Sequence, residues 1–366
     1  MTAEFPSPET GILPDRMIAA LAREGAIKAP PFAADQVQPA SLDLRLGPRA
    51  YRVRASFLPG PRTEVAPRVK ELTLHEISLR DGAVLETGCV YIVPLQEALA
   101  LPSDIAAATN PKSSTGRLDV FTRVIADRAR AFDQIEAGYT GPLYAEISPR
   151  TFPVLVREGS RLSQIRFRRG HALLNSDALK ALHASDRLVD DADADVGSGV
   201  AISVDLTGDK HGRVGFRAKR HTGLIDVDKR DGYAVDDFWE PVNARTNKSL
   251  ILDPNEFYIL ASKEAVQVPP GYAAEMVPFD PLVGEFRVHY AGFFDPGFGH
   301  ADAGGRGARA VLEVRSHDVP FILEHGQIVG RLVYERMLSL PERLYGRGIG
   351  SNYQAQGLKL SKHFKG

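Results

Sequence analysis

Blocks of this sequence return at a fixed offset. Leu85, Tyr91, Ile92, Glu97, Ala98 and Pro102 recur as Leu252, Tyr258, Ile259, Glu264, Ala265 and Pro269, each 167 residues later. Glu146, Pro153 and Gly159 recur as Glu313, Pro320 and Gly326 at the same offset. Chance supplies one or two such matches, but a constant register across separated blocks argues for an internal duplication. Residues 41–167 and 224–334 therefore read as two copies of one domain.

The copies read as β-structure. Leu42, Leu44 and Leu46 alternate with polar residues between Ser41 and Gly47, and Gly88 to Leu95, Tyr144 to Ile147 and Val154 to Val156 are further short strands. The 25 prolines and 33 glycines punctuate them, a spacing that predicts a sandwich or barrel. Helical periodicity is confined to Asp15 to Arg23, stopped by Gly25, and to a short Ala/Leu-rich run from Ser176 to Leu182. The expected architecture is mainly β, with two tandem barrel or sandwich domains and few short helices. The N-terminal domain is expected over 1–170, a linker over 171–200 and the C-terminal domain over 201–366. Asp186 to Gly199, carrying Asp190, Asp191, Asp193 and Asp195 and then Gly-Ser-Gly, reads as a solvated linker.

Bulk properties narrow the function. A net charge of −1 over 366 residues offers no global field for nucleic acid or anionic lipid, so a polyanionic ligand needs a local basic cluster. The single cysteine, Cys89, leaves no internal disulfide and no cysteine-rich zinc site, which fits a reducing cytoplasm. Met1 to Pro14 has no signal-peptide pattern, and no apolar run approaches the roughly 20 residues that span a bilayer. His289, His300, His317 and His325 lack zinc-ligand spacing and read as surface or turn residues. Trp239, the only tryptophan, reads as core or interface. Gly304 to Gly307 reads as a flexible hairpin insertion.

Two segments carry chemistry. Asn110-Pro111-Lys112-Ser113-Ser114-Thr115-Gly116-Arg117 packs cations, hydroxyls and a glycine after a strand, the donor set a triphosphate needs because phosphate oxygens only accept. A capped polar turn is the plainer alternative. Downstream, Glu146 lies in the apolar strand around Tyr144 and Ile147, where burial would raise its pKa toward a general acid or base working near neutrality. A structural glutamate paired with an arginine is the competing reading.

Lys-Ser-Ser-x-x-Arg, then Gly138-Tyr139-Thr140-Gly141 and a glutamate-bearing strand, resembles the dCTP deaminase branch of the trimeric dUTPase superfamily. That family reads Arg-Ser-Ser-x-x-Arg, then a hairpin with Ala and Asp-Pro-Gly-Phe, then Gly-x-x-x-Leu-Glu. Gln38 to Gly47 resembles its first strand, Leu101 to Ile105 the segment before the phosphate motif, and Tyr345 to Gln356 its C-terminal lid. The resemblance covers both copies and the tail, and it implies two tandem dUTPase-like domains. It also implies metal-free hydrolysis of dCTP to dUTP and ammonia. Glu146 would be the proton shuttle, Ser113 and the Ala126 carbonyl would hold the water, and Arg117 would orient Glu146. Lys112 and Ser114 would contact phosphates and Arg128 the substrate, Asp133 would stand in for the hairpin aspartate, and Tyr345 and Gln356 would close over the nucleotide. Mg2+ would arrive with the triphosphate, and zinc is not expected.

The departures matter. Lys112 replaces arginine and loses bidentate geometry. The family's lid lysine is Asn352 here, leaving Lys359 to compensate. In the second copy the offset puts Phe279, Asp280, Pro281 and Gly284 where the first has Lys112, Ser113, Ser114 and Arg117, so triphosphate binding there is not expected. Yet Val288 to Phe298 is the better hairpin, with Glu313 after it. Two sites follow. First copies of different chains meet in a trimer and pair Ser113 and Arg117 with Glu146, or the site is split between unlike copies, with Ser113 and Arg117 facing Ala291, Asp295 and Glu313. The first is favoured, because a threefold ring closes with like copies. The rivals are a dUTPase, a bifunctional enzyme yielding dUMP, and a non-catalytic nucleotide-binding protein.

Overall fold

The computed structural model describes residues 9–191, 193–278, 286–289, 292–316, 318–346 and 357–365. The chain is mainly β, with helices at Asp15–Arg23, Val65–Leu72 and Ser176–Ser185 and short turns at Ser113–Gly116 and Val235–Phe238. The first helix has the bounds its periodicity predicts. Val65–Leu72 escapes sequence reading because it is short and carries Pro67 in its first turn, where proline is tolerated.

Each half holds two principal sheets. In the first half Arg49–Val53, Val90–Ala100, Thr140–Pro149 and Val120–Ala126 lie side by side, and Ser163–Arg169 pairs with Ile105–Pro111 in the other sheet. In the second half Arg213–Ala218, Phe257–Val266, Ala308–Ser316 and Phe286–His289 repeat the first order, and Ile328–Arg336 pairs with Tyr272–Pro278. Ile105–Pro111 and Tyr272–Pro278 both begin and end 167 positions apart. The register repeats too: Glu146 lies between Ile92 and Arg123, and Glu313 between Ile259 and His289.

The halves are fused by a common core. Phe152 of the first half meets Trp239 with ring centroids 5.5 Å apart and Phe238 at 5.7 Å, both edge-on, the favoured aromatic geometry. Val154 and Leu155 pair in parallel with Ile225 and Asp226, and Phe364 near the C-terminus packs on Trp239 at 5.8 Å. Fully buried Trp239 is thus a core residue of the seam.

The stretch expected as a solvated linker is fastened to the second half. Leu188 and Val189 are buried. Asp186 contacts His300 at 3.2 Å, Asp190 accepts from the Ala265 amide at 2.8 Å, Asp191 pairs with Lys263 at 2.9 Å and Asp195 with Arg331 at 2.5 Å. Its aspartates answer local cations and amides, and Leu188 and Val189 between them supply the apolar anchor. His325 accepts from the Leu206 amide at 3.2 Å, so like His300 it serves a turn; His317 lies outside the described residues.

Candidate active site

The phosphate-motif turn is built by the strand before it. Ile105–Pro111 ends at a proline, Lys112 is extended, and the Thr115 and Gly116 amides close back on the Lys112 carbonyl at 2.8 and 3.0 Å. The Lys112 amide and the Thr115 hydroxyl both donate to the Leu162 carbonyl at 2.9 Å, fixing the turn to the neighbouring strand. Ser113 stays half-buried, whereas Ser114 and Arg117 are buried.

Arg117 crosses the seam. Its Nε lies 3.8 Å from Glu313 Oε1, and both side chains are below a tenth exposed. Its Nη1 donates to the Lys359 carbonyl at 3.0 Å. Burial pushes Glu313 up to about 8, against the opposing pull of Arg117. Two residues along each segment the charges are exchanged: Arg315 of the second half binds Asp119 of the first, and also donates to Thr151 at 2.9 Å.

Other groups converge on the same seam. Buried Arg166 of the first half reaches Asp295 at 3.5 Å, Glu335 at 3.3 Å and the Ala274 and Phe294 carbonyls at 3.1 and 3.3 Å, and its guanidinium lies 4.0 Å above the Phe293 ring. Asp295 is raised to about 6 by burial, opposed by Arg166. Lys112 pairs with buried Asp43, and both stand close enough to act on the Asp295 charge. Asn110 donates to Glu275 at 3.4 Å.

Glu146 has a different setting. It is 1% exposed, and its Oε1 is held by its own cross-strand neighbour Arg123, from Nη2 at 2.5 Å and Nε at 3.2 Å. That guanidinium stacks 3.4 Å over Phe132 and 4.6 Å from Phe121, and also donates to Ser56 at 3.1 Å. Segment 54–72 is tied across this hairpin by the Gly60 amide on the Ala129 carbonyl, the Arg128 amide on the Thr63 carbonyl and the Val65 amide on Asp127. Within the chain, then, Arg117 meets Glu313 and not Glu146. The sequence could not announce this, because the contact spans the two copies.

The remaining expected residues divide. Ala126 is buried, and its carbonyl accepts from the Ala129 amide at 3.3 Å. Exposed Arg128 pairs with Glu64 at 3.2 Å, on the covered hairpin and away from the seam. Asp133 accepts from Thr109 at 2.6 Å and the Val124 amide at 2.8 Å, with burial raising it to about 6. Tyr345 packs 5.7 Å from Phe298, and its amide donates to the Pro296 carbonyl at 2.8 Å. Gly297, at φ 94°, permits this approach, since a Cβ there would stand 2.9 Å from the Leu344 Cβ. Ala291, Asn352 and Gln356 lie outside the described residues. Arg166, Asp43 and the tail around Ser361 were not anticipated. Arg166 lies on the polar phase of the alternating Ile165–Phe167 strand, the phase that ordinarily faces water. Among the described residues no group of three His, Cys, Asp or Glu is placed to hold a metal ion, and no helix is long and apolar enough to cross a membrane.

Residues 9–171 match the family described as 2'-deoxycytidine 5'-triphosphate deaminase (DCD) N-terminal domain, and residues 175–364 its C-terminal domain. The chain is 65% identical to the crystal structure of 2'-deoxycytidine 5'-triphosphate deaminase from Agrobacterium tumefaciens, which covers 92% of this chain and 100% of that one with a TM-score of 0.88. It is 30% identical over 158 residues to a Thermobifida fusca protein named "dCTP deaminase, dUMP-forming", spanning 42% of this chain and 76% of that protein. A Methanoculleus marisnigri protein of the same name is 32% identical over 161 residues, 43% of this chain and 80% of its own length.

Proposed function

Because the chain belongs to the 2'-deoxycytidine 5'-triphosphate deaminase family of enzymes, we propose that it hydrolyses the 4-amino group of dCTP at the seam between its copies, with Glu313 as the proton shuttle and Arg117 and Ser113 beside it. The observation that carries this is the Arg117–Glu313 approach of 3.8 Å in a buried setting, with Glu313 raised to about 8. A carboxyl group poised near neutrality takes and returns protons in one cycle. Glu313 would accept a proton from the water that attacks C4, deliver it to the ring nitrogen, and then transfer the second water proton to the departing amine. The C4–N bond breaks, ammonia leaves and a uracil nucleotide remains. Arg117 and the Ser113 hydroxyl would stabilise the tetrahedral intermediate. Glu146, neutralised by Arg123, is read as a structural ion pair.

The triphosphate would lie along the Ser113–Gly116 turn beside Lys112, with Mg2+ coordinated by its own phosphate oxygens and water. In this reading the two copies are dUTPase-like domains, the first over 1–170 and the second over 201–366. The enzyme acts as a homo-oligomer, a trimer, in the cytoplasm; light scattering on the purified chain checks the assembly.

Release of dUMP instead of dUTP is the second reading, supported by the "dUMP-forming" names of the relatives at 30–32% identity. Incubation with dCTP, with ammonia, dUTP, dUMP and pyrophosphate quantified, separates the outcomes. Ammonia with dUTP supports the first reading, and ammonia with pyrophosphate and dUMP the second. Pyrophosphate without ammonia would indicate a diphosphatase of the dUTPase type, and tight dCTP binding without turnover a non-catalytic binder; either sinks the deaminase reading.

A further inference from the structure

The last described stretch, 357–365, returns to the phosphate-motif turn from behind. Leu360 and Phe364 are buried in the shared core, and 227–233 pins the other edge, with the Asp231 and Gly232 amides donating to the Lys362 and His363 carbonyls at 3.0 and 2.9 Å. Between these anchors lie Ser361 and His363, each 2% exposed. Neither has a role in the reading above.

Their polar atoms form a continuous line. The Ser361 Oγ is 2.8 Å from the Ser114 carbonyl and 2.9 Å from His363 Nδ1, and His363 Nε2 is 2.8 Å from the Val227 carbonyl. Both carbonyls can only accept. Nε2 must therefore carry a proton to satisfy Val227, and burial, reinforced by Lys362, pushes His363 down to about 4, so Nδ1 is a bare acceptor at neutral pH. The single Ser361 proton is then shared between Nδ1 and the Ser114 carbonyl. That carbonyl belongs to the turn along which the triphosphate is placed in the reading above.

We propose that Ser361, backed by His363, is a positioning residue that holds the Ser113–Gly116 turn in its phosphate-binding orientation through the Ser114 carbonyl. The role rests on the placement of the triphosphate at that turn. A hydrogen bond that orients a binding turn acts on triphosphate binding in the ground state and the transition state alike, so its loss falls mainly on KM, with a smaller loss of kcat through Ser113 on the same turn.

The test compares full-length Ser361→Ala and Ser361→Thr with the parent protein, reading ammonia release from dCTP, calorimetric affinity for dCTP and for inorganic tripolyphosphate, and inhibition by deoxycytidine, which has no phosphate. Ser361→Ala is expected to raise KM and both dissociation constants about tenfold, with a smaller fall in kcat and with deoxycytidine inhibition unchanged. Ser361→Thr, which keeps the hydroxyl, is expected to restore affinity. Unchanged tripolyphosphate affinity in Ser361→Ala, an equal loss for deoxycytidine, or a threonine variant as weak as the alanine one overturns the proposal. A parent protein that binds dCTP but releases no ammonia sinks the deaminase reading alone, and the two affinity measurements still decide the role of Ser361.

Discussion

Arg117 Nε lies 3.8 Å from Glu313 Oε1 across the seam between two copies of one domain. The duplicate glutamate, Glu146, instead lies under the guanidinium of its own neighbour Arg123 at 2.5 Å. Two carboxylates at equivalent registers thus have counter-ions of different origin. One is bound closely within its sheet, and the other lies 3.8 Å from a cation contributed by the other copy. The second arrangement suits the proposed proton shuttle, because no close ion pair holds Glu313 in its ionised form and it can both take up and return a proton.

Glu313→Gln is expected to lower the rate of ammonia release by about 10²–10⁴-fold while dCTP still binds. Glu146→Gln is expected to keep most of the activity and to cost about 1–3 kcal/mol of stability, since the amide oxygen still accepts from Arg123 but the charge is lost. Steady-state kinetics and denaturant unfolding on both variants check this. Full activity in Glu313→Gln with loss in Glu146→Gln would restore the pairing of first copies across chains.

The pH dependence follows from the raised Glu313 value. In the folded protein this group keeps its proton up to about 8, against a reference of 4.5, so the folded state binds more protons than the unfolded state between those values. Its contribution to stability is therefore fully present below about 4.5, declines as pH rises through that window and is constant above it. Thermal unfolding of the parent relative to Glu313→Gln should show the variant gaining with pH over that span. The kcat/KM profile of the parent should rise with unit slope to a limb near 8.

Arg117 lowers the Glu313 value from where burial alone would put it. Arg117→Met should therefore move the acid limb of kcat/KM to higher pH as well as cutting kcat by about 10²–10³-fold. A rate loss with an unmoved limb would mean that Arg117 acts on substrate without tuning the glutamate.

The common core predicts cooperative behaviour. Phe152 is fully buried against Phe238 and Trp239, so Phe152→Ala should cost about 3–5 kcal/mol. The parent protein should unfold in one calorimetric transition, and two resolved transitions would show that the halves are energetically separate.

Much of the fold is legible in residue order. The Asp15–Arg23 helix follows from the placement of Met17, Ile18 and Leu21 ahead of Gly25, and Val154–Val156 from a β-branched run between turn signals. The Ser113–Gly116 turn and its flanking cations are visible as a string. Arg166 is not, because its strand phase says solvent while the other half of the chain covers it. The aspartates of 186–195 are not either, since composition cannot show that Lys263 and Arg331 wait opposite them.

The sequence alone determined the duplication, the strand-rich architecture and the loss of the phosphate motif from the second copy, all of which are local or periodic properties. Which glutamate faces Arg117 was decided only by tertiary structure. Asp119 and Arg315 are 196 residues apart in the chain, and nothing in either copy encodes their meeting. It arises when the aromatic seam around Phe152 and Trp239 sets one copy against the other, because apolar burial fixes the relative placement and Asp119 and Arg315 must then find partners where that packing puts them.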